Sequence, residues 1–292
     1  DLINFDGNAN TFRLLTHSFR GRREGGFALT YPTVASVIKY PRSSVGTKKF
    51  GYFQQDKETF EEIMQKLQIT SLGDKGYVRH PLVYLVEAAD DICYQVMDIE
   101  DACRLGILSY DETVEMLCNI FRSDTDVKVF ENRDKVFDRV TDKHERIAYL
   151  RSIVIGRLVC RCSEVFWENR DKILRGEFSG SLIGGLPKQE RVAIELISER
   201  AKKDIYRHQS VVEIEISGFK IMGTLLDKFI EAIEKPELYY SALLKPFIPE
   251  QYQVASTDSF YNKSTEKNQR TYEGESINTF ARMEQANTNK RG

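Results

Sequence analysis

The sequence has no apolar run of about 18 residues, so it lacks a segment long enough for a transmembrane helix, and we expect no membrane partner. It has no marked excess of either charge, because 42 lysines and arginines face 44 aspartates and glutamates. This balance argues against a protein whose main ligand is a nucleic-acid backbone, although it is compatible with a local basic patch. The chain also has no internal repeat and no signal peptide, and its start at Asp1 suggests a piece of a longer protein.

Cysteine is scarce, and no two cysteines form the C-x-x-C pair that is typical of a structural zinc site. The five residues are also too few and too irregularly spaced for a disulfide framework. They are Cys93, Cys103, Cys118, Cys160 and Cys162. Most of them lie among apolar residues at helical spacing, which indicates buried thiols in a reducing compartment. We therefore expect a cytoplasmic protein.

Helical periodicity is the dominant pattern, and 41% hydrophobic residues are enough for a sizeable core. We predict a mainly α-helical bundle with at most a short β element near residues 211–216. The strongest predicted helix covers residues 79–105. Ser109 and Glu112 have the spacing of a capping box, which predicts the start of a second helix at residues 110–121.

The composition changes near the end of the chain. From about residue 251 onward Gln, Asn, Ser, Thr, Lys and Glu dominate and apolar residues become sparse. Such a segment buries too little apolar surface to offset the entropy of ordering it. We therefore predict a folded domain at residues 1–250 and a disordered polar tail at residues 251–292.

On a helical wheel the predicted helix at residues 79–105 has an apolar half and an acidic sector roughly 100° wide. The apolar half, expected to face the core, comprises Leu82, Leu85, Val86, Ala89, Ile92, Cys93, Val96, Met97 and Ile99. The acidic sector comprises Glu87, Asp90, Asp91, Tyr94, Asp98 and Asp101. A solvated face is the commoner explanation of such a sector. The functional alternative requires a cleft, where Asp90 binds a hard cation, Tyr94 packs on a sugar or base and Asp98 accepts a hydrogen bond.

Four segments of the chain resemble one protein family. HPLVYLVEAADDICYQVMDIEDA at residues 80–102 resembles the metal-site helix of the bacterial deoxyguanosinetriphosphate triphosphohydrolases, which are HD-domain phosphohydrolases. FDGNANTFRLL at residues 5–15 is similar to the F-x-G-N-A-x-x-x-R-x-L segment of that family. VIKYPR at residues 37–42 and KKFGYF at residues 48–53 resemble its K-Y-P and lysine-bearing loops, in the same order. The resemblance covers about residues 1–250 and implies an HD-domain-like helical bundle.

The resemblance implies roles for seven residues. Asp90 matches the last aspartate of the family's H…HD…D metal set. Tyr94 matches the tyrosine that packs against the deoxyribose, and Asp98 matches the carboxylate that bonds to the sugar 3′-hydroxyl. The positions near the triphosphate are matched by Asn8, Lys39, Tyr40 and Lys49. Without the family, each of these lysines would be interpreted as a surface residue that favours solubility.

The resemblance also implies a reaction, a cofactor and partners. The reaction is attack of water on the α-phosphorus of a deoxynucleoside triphosphate, dGTP above all, which yields the deoxynucleoside and intact tripolyphosphate. The cofactor is a divalent metal, Mg²⁺ or Mn²⁺, which activates a bound water or polarises the phosphate. The partners are the nucleotide, single-stranded DNA and further copies of the chain in a hexamer.

The sequence departs from the family pattern at both ends. None of the four histidines, His17, His80, His144 and His208, is followed by Asp, so the family's His and His-Asp ligands are expected before Asp1. One carboxylate does not hold a transition metal alone, so we expect this chain by itself to be inactive. The family's D-x-x-S-G-M-T-D motif is also missing from the tail, and a shifted reading frame after about Tyr252 is a hypothesis that explains its absence.

A non-catalytic protein is the alternative hypothesis. In that interpretation the chain is a helical remnant that assembles with partners or binds nucleic acid without hydrolysing a nucleotide. RGRREGG at residues 20–26 is a basic, glycine-rich segment suited to phosphate backbones, although an exposed loop is the simpler explanation. A triphosphohydrolase assay distinguishes the two hypotheses.

Overall fold

The computed structural model of the protein describes residues 5–18, 25–45 and 47–248. The predicted polar tail and most of the basic segment at residues 20–26 lie outside the described residues. The chain divides into two compact units, residues 1–225 and 226–292. None of the helices described combines the length and the apolar content that crossing a bilayer requires.

Helices make up most of the described chain, and the predicted mainly α-helical class is confirmed. They are α1 (Gly7–Thr16), α2 (Tyr31–Ser36), α3 (Lys57–Lys66), α4 (Val83–Arg104), α5 (Tyr110–Cys118), α6 (Val127–Arg139), α7 (Lys143–Glu168), α8 (Arg170–Leu174), α9 (Lys188–Arg200), α10 (Gln209–Glu234) and α11 (Tyr239–Leu244). A π-helical turn, Ala201–Ile205, follows α9. Within the described residues β structure is limited to two isolated bridges, Ser43 with Tyr52 and Ser71 with Tyr77.

The prediction of a short β element near residues 211–216 is wrong, because these residues lie within α10. Their alternating valines and isoleucines favour a strand locally. Over the full length of α10, however, the charged residues Glu213, Lys220 and Asp227 recur every seven positions. Seven residues are about two helical turns, so this longer pattern places these three charges on one side of a helix, while Glu215 lies on the other side.

The main core of the first unit forms between α4, α5, α7 and α9. Its fully buried side chains include Val96 and Ile99 of α4, Leu117 of α5 and Val154 of α7. Each such side chain contributes about 1.5–3 kcal/mol relative to an exposed position. The predicted capping box begins α5: the Ser109 hydroxyl accepts from the Glu112 amide at 3.2 Å, and the Glu112 carboxylate accepts from the Ser109 amide at 3.1 Å.

The expectation that most cysteines are buried is wrong. Cys162 is buried, Cys103 and Cys118 are half-buried, and Cys93 and Cys160 are exposed. Cys93 and Cys160 sit on α4 and α7 outside the rows of buried residues that these helices contribute to the core. Helical spacing alone did not reveal which apolar residues the neighbouring helix would cover.

A smaller core joins α1, α2 and α3. Phe12 of α1 meets Phe60 of α3 edge to face with 5.9 Å between ring centroids, and Tyr52 stacks on Phe60 at 4.1 Å. Arg13 adds an ion pair to the buried Asp56 at 2.9 Å. This core fixes the start of α1 and the loop after α2, which carry several of the predicted site residues.

The second unit contains the end of α10, α11 and a 3₁₀ turn at Lys245–Phe247. Glu231 accepts from Lys228 at 3.1 Å and from Lys235 at 3.4 Å. The Ser241 hydroxyl donates to the carbonyl oxygen of Lys235 at 2.7 Å, which ties α11 to the end of α10.

Candidate functional site

A pocket of about 220 Å³ contains three of the seven predicted site residues, Asn8 of α1, Lys39 after α2 and Asp90 of α4. The N-cap of α1 determines where Asn8 lies. The buried carboxylate of Asp6 accepts from both the backbone amide and the side-chain amide of Asn8, each at 2.8 Å. The side-chain amide is therefore held in one orientation at the pocket wall.

Glu87 holds Lys39 in this pocket. The Lys39 ammonium lies 3.0 Å from one carboxylate oxygen of Glu87, and Arg79 lies 3.0 Å from the other oxygen. Burial lowers the pKa of Lys39, but the bond to Glu87 and the charge of Asp91 outweigh burial, so the net shift of the pKa is upward. The ammonium therefore stays charged at neutral pH. Burial raises the pKa of Asp91, and the nearby charge of Lys39 opposes that rise.

Three cations surround the ring of Tyr40. Lys49 lies 5.7 Å from the ring centroid, Lys39 lies 6.0 Å from it, and the guanidinium of Arg42 also lies 6.0 Å from it. Within the described part of the chain, neither Arg42 nor Lys49 takes part in an ion pair. Sequence reasoning missed Arg42 as a site residue, although it stands in the VIKYPR segment.

Gly51 brings the loop of Lys49 against Tyr40. A Cβ atom at residue 51 would collide with the carbonyl oxygen of Tyr40 and with the side chain of Ile38. The Gly51 amide also donates to the carbonyl oxygen of Arg42 at 3.0 Å. The approach of these two backbone segments therefore requires glycine at residue 51.

Asp90 lies at the pocket with an exposed side chain. Over residues 5–18, 25–45 and 47–248, no three His, Cys, Asp or Glu side chains come together as a group able to hold a metal ion. Glu87 is already engaged by Lys39 and Arg79. The described donors therefore do not fit a complete divalent-metal site.

His80 does not supply a further ligand. Its ring nitrogen Nδ1 accepts from the Leu82 amide at 3.3 Å in the turn before α4, and burial lowers its pKa.

Asp98 and Tyr94 meet a residue that the sequence did not reveal. The Tyr206 hydroxyl donates to Asp98 Oδ2 at 2.5 Å, and the Tyr206 ring lies 6.0 Å from the Tyr94 ring at a tilt of 35°. Burial, and then the hydrogen bond to Asp98, raise the pKa of Tyr206. Tyr206 follows the π-helical turn after α9, and π-helical turns are frequent at functional sites. No local sequence pattern indicated this contact.

The assignment of every apolar residue of α4 to the core is wrong. The exposed fraction is 42% for Leu82, 44% for Val86 and 46% for Met97. The side that packs on the core carries Ala88, Ile92, Val96 and Ile99. Tyr94 is 56% exposed. Glu87 and Asp90 thus line the pocket, whereas Tyr94 presents more than half of its surface to solvent.

Comparisons with known proteins concern the chain as a whole. No family model matches the chain. A deoxyguanosinetriphosphate triphosphohydrolase-like protein of Synechocystis sp. is 32% identical over 280 residues, which are 90% of this chain and 60% of the relative. A protein of the same name from Listeria monocytogenes is 32% identical over 253 residues, 83% of this chain and 52% of the relative. The deoxyguanosinetriphosphate triphosphohydrolase of Yersinia enterocolitica is 25% identical over 284 residues, 91% of this chain and 54% of the relative.

These relatives confirm the resemblance indicated by the motifs. The helical fold and the pocket belong to a homologue of nucleotide triphosphohydrolases. More specifically, the chain is a homologue of the deoxyguanosinetriphosphate triphosphohydrolases and of the proteins named after them. It spans between half and three fifths of the length of these relatives.

Proposed function

We propose that the protein containing this chain hydrolyses a deoxynucleoside triphosphate, dGTP above all, to the deoxynucleoside and tripolyphosphate. One observation carries the proposal: Asn8, Lys39 and Asp90 come from three separate sequence segments and line one pocket. The names of the relatives support the same reaction class.

The cations around Tyr40 are assigned to the triphosphate. Lys39, Lys49 and Arg42 lie around one ring, and two of them have no carboxylate partner in the described chain. A polyphosphate provides the missing negative charge. Ammonium groups neutralise phosphate oxygens without a fixed geometry, whereas a guanidinium binds two oxygens at once. The same cations stabilise the negative charge that develops on the phosphate oxygens when water attacks.

The sugar is assigned to the far end of the acidic sector. Asp98 lies two helical turns beyond Asp90, about 12 Å along the axis of α4. The Tyr206 hydroxyl occupies one oxygen of Asp98, so the other carboxylate oxygen is the acceptor assigned to the 3′-hydroxyl. The exposed ring of Tyr94 offers the flat surface for the deoxyribose.

A divalent metal, Mg²⁺ or Mn²⁺, belongs to the proposal for the whole protein, with Asp90 as one ligand. Since the described donors do not complete such a site, the remaining ligands have to come from elsewhere. The chain's own residues bind and orient the triphosphate and the sugar.

Two further proposals follow from the resemblance and from the cysteines. The first is assembly with further copies of the same chain, for which the family resemblance implies a hexamer. We assign the contact between copies to the exposed apolar side of α10. The second is a cytoplasmic location, which the five unpaired thiols support.

The experiment measures binding of a fluorescent dGTP analogue to the 292-residue chain and to two lysine variants. Lys49→Gln removes a cation beside Tyr40, and we expect the dissociation constant to rise about tenfold. Lys48→Gln is the matched control, because the neighbouring lysine is also exposed and carries the same charge. Equal effects of the two substitutions would contradict the assignment of the triphosphate to this site.

The non-catalytic alternative makes a different prediction in the same assay. A protein that only binds nucleic acid would bind single-stranded DNA and would show no preference for a deoxynucleoside triphosphate. The basic segment at residues 20–26 that suggests this alternative lies mostly outside the described residues. Single-stranded DNA, which the family resemblance implies as a partner, therefore remains a proposed additional partner.

A further inference from the structure

Glu87 lines a second and larger cavity in addition to the pocket of Lys39. This cavity has a volume of about 530 Å³, and Arg79 also faces it. Its walls come from the turn at residues 72–79 and from the loop at residues 176–181. None of the seven predicted site residues lines it. The volume lies within the range of about 300–1,000 Å³ that is usual for small-molecule sites.

Specific contacts hold the loop at residues 176–181 against α4 and against Val78 of the turn at residues 72–79. The Tyr84 hydroxyl donates to the carbonyl oxygen of Phe178 at 2.9 Å, and the two rings meet edge to face at 5.2 Å. Gly176 has φ +72°, and a Cβ atom there would collide with the side chain of Val78. The cavity is therefore preformed by packing rather than left by a loose surface loop.

Two cations share the carboxylate of Glu87. Its single carboxylate faces two cations, with Lys39 at 3.0 Å on one oxygen and Arg79 at 3.0 Å on the other. Arg79 uses one terminal nitrogen for this bond, and its guanidinium lies 5.6 Å from the centroid of the Tyr84 ring. A guanidinium carries five N–H donors, so Arg79 has capacity for a second anion.

The remaining lining fits a phosphorylated ligand. Ser179 and Ser181 line the cavity, and a serine hydroxyl can donate to a phosphate oxygen; the Ser181 hydroxyl accepts from the Gly184 amide at 3.1 Å, which leaves its hydrogen available. Tyr77 and Phe178, both half-buried, also line the cavity, and aromatic side chains there suit a planar base. A guanidinium suits a phosphate better than a lone ammonium does, because its N–H groups match two phosphate oxygens.

We propose that the cavity between residues 72–79 and 176–181 binds a phosphorylated ligand of mononucleotide size, with its phosphate on Arg79. A phosphate on the free N–H groups of Arg79 adds negative charge beside Glu87 and weakens the attraction between Arg79 and Glu87. Glu87 then pairs more strongly with Lys39, so an anion in the smaller pocket loses part of its attraction to Lys39. Occupation of either cavity therefore lowers the affinity of the other, and this coupling is reciprocal. The coupling, unlike the cavity site itself, rests on the proposed role of Lys39 in binding the triphosphate.

The first experiment locates the ligand by isothermal titration of the 292-residue chain with deoxyguanosine 5′-monophosphate. We expect Arg79→Gln to raise the dissociation constant at least about tenfold. Arg104→Gln is the matched control, because Arg104 also pairs with a glutamate, Glu100, and stands at the opposite end of α4. Arg79→Lys keeps the positive charge but removes the paired N–H groups of the guanidinium. Its dissociation constant should also rise, and this variant replaces Arg79→Gln as the test if Arg79→Gln disturbs folding.

The outcomes of this titration are distinguishable. Loss of affinity in Lys39→Gln but not in Arg79→Gln would overturn the proposal and leave the function proposed for the smaller pocket intact. Equal affinities of the Arg79→Gln and Arg104→Gln variants would also overturn it. Titrations with inorganic phosphate and with deoxyguanosine show which part of the ligand is recognised, and binding of deoxyguanosine alone would contradict a phosphate on Arg79.

The second experiment tests the coupling through Glu87. Tripolyphosphate is added at increasing concentration while binding of deoxyguanosine monophosphate is measured, and we expect its dissociation constant to rise severalfold. In Glu87→Gln both anions should bind more tightly, and the mutual effect should shrink because the shared carboxylate is gone. Independent binding of the two ligands to the unmodified protein would contradict the coupling. It would not contradict a phosphate site at Arg79 that the first experiment had located.

Discussion

Tyr206 donates its hydroxyl hydrogen to Asp98 at 2.5 Å, although 108 residues separate them in the sequence. The contact joins the residue that follows the π-helical turn after α9 to the C-terminal half of α4. It places a second tyrosine ring beside Tyr94, the residue assigned to the deoxyribose. Tyr206 is thereby part of the candidate sugar site, with Asp98 as the carboxylate that both the tyrosine and the sugar would use.

Tyr206→Phe tests the contribution of this hydrogen bond to stability. We expect the free energy of unfolding to fall by about 1–2 kcal/mol at pH 7, because a bond to a carboxylate is lost and the ring is kept. The pKa of Tyr206 is raised by burial and by Asp98, so the folded state favours the protonated phenol. That stability is fully present below the unfolded pKa of about 10 and is lost as pH rises above it. Denaturant unfolding of both proteins from pH 7 to pH 11 should show the difference shrinking in the alkaline range. A difference that grows above pH 10 would contradict this account.

Asp98→Asn tests recognition of the sugar hydroxyl. A charge-assisted hydrogen bond contributes about 1.5–3 kcal/mol, so binding of a deoxynucleotide should weaken about tenfold to a hundredfold. A 2′,3′-dideoxynucleotide lacks the 3′-hydroxyl, and its affinity should change little. Asp101→Asn is the matched control, since Asp101 stands on the same helix with an exposed side chain. The assignment fails if both nucleotides weaken equally.

Asp90→Ala tests the proposed metal ligand in the complete protein. We expect turnover of dGTP to fall by several orders of magnitude, because Asp90 lies in the pocket with Asn8 and Lys39 at the position that matches the family's metal aspartate. Asp101→Ala should keep the original rate. Steady-state release of tripolyphosphate at several Mn²⁺ concentrations provides the measurement. An unchanged rate in Asp90→Ala would remove the mechanistic basis of the proposal.

The 292-residue chain alone should bind nucleotide but release no deoxyguanosine. The physical reason is that the described donors around Asp90 do not complete a divalent-metal site, whereas the cations around Tyr40 are present. The chain is incubated with dGTP and Mn²⁺, and the products are separated by chromatography. Metal-dependent product well above background would show that the ligands come from within this chain, and alanine substitution of His17 and His80 would then identify them.

The exposed apolar side of α10 is expected to pair with a second copy of the chain. Ile214 and Met222 stand four residues to either side of Gly218, and Val211 and Leu225 stand seven residues to either side of it. At about 100° per residue these five positions share one side of the helix. A row that is symmetric about its centre is self-complementary in an antiparallel pair related by a twofold axis. Glycine at the centre lets the two backbones approach closely.

Matched substitutions on α10 test this pairing. Ile214→Asp should lower the mass measured by sedimentation equilibrium, because it places a charge in the apolar contact. Ile216→Asp is the control: Ile216 is also exposed on α10 but stands on the side of Lys220 and Asp227. Equal masses for the two variants would contradict pairing through this side of α10. Binding of the unmodified chain to lipid vesicles, lost in Ile214→Asp, would identify a membrane surface instead of a second copy.

The sequence by itself determined the fold class, the start of α5 and the family relationship. These depend on local signals: the Ser109 and Glu112 capping box, the 3.6-residue periodicity and the motif around Asp90. Each acts within one or two helical turns, so a linear pattern is sufficient. The same reasoning failed at residues 211–216, where the short-range alternation of apolar residues favoured a strand and the structure has a helix.

Only the tertiary structure decided which groups meet at the site. The hydrogen bond from Tyr206 to Asp98 and the ion pair of Lys39 with Glu87 join segments that are distant in sequence. The ion pair of Arg79 with Glu87 and the position of Arg42 beside the Tyr40 ring depend on side-chain orientation, which the sequence does not state. The tertiary structure also decided which side chains are buried. Val86 and Ile92 are both apolar residues of α4, yet Val86 is exposed and Ile92 is buried, because the core packs on one side of the helix. Helical spacing states which residues share a side, but it does not state which sides other elements cover.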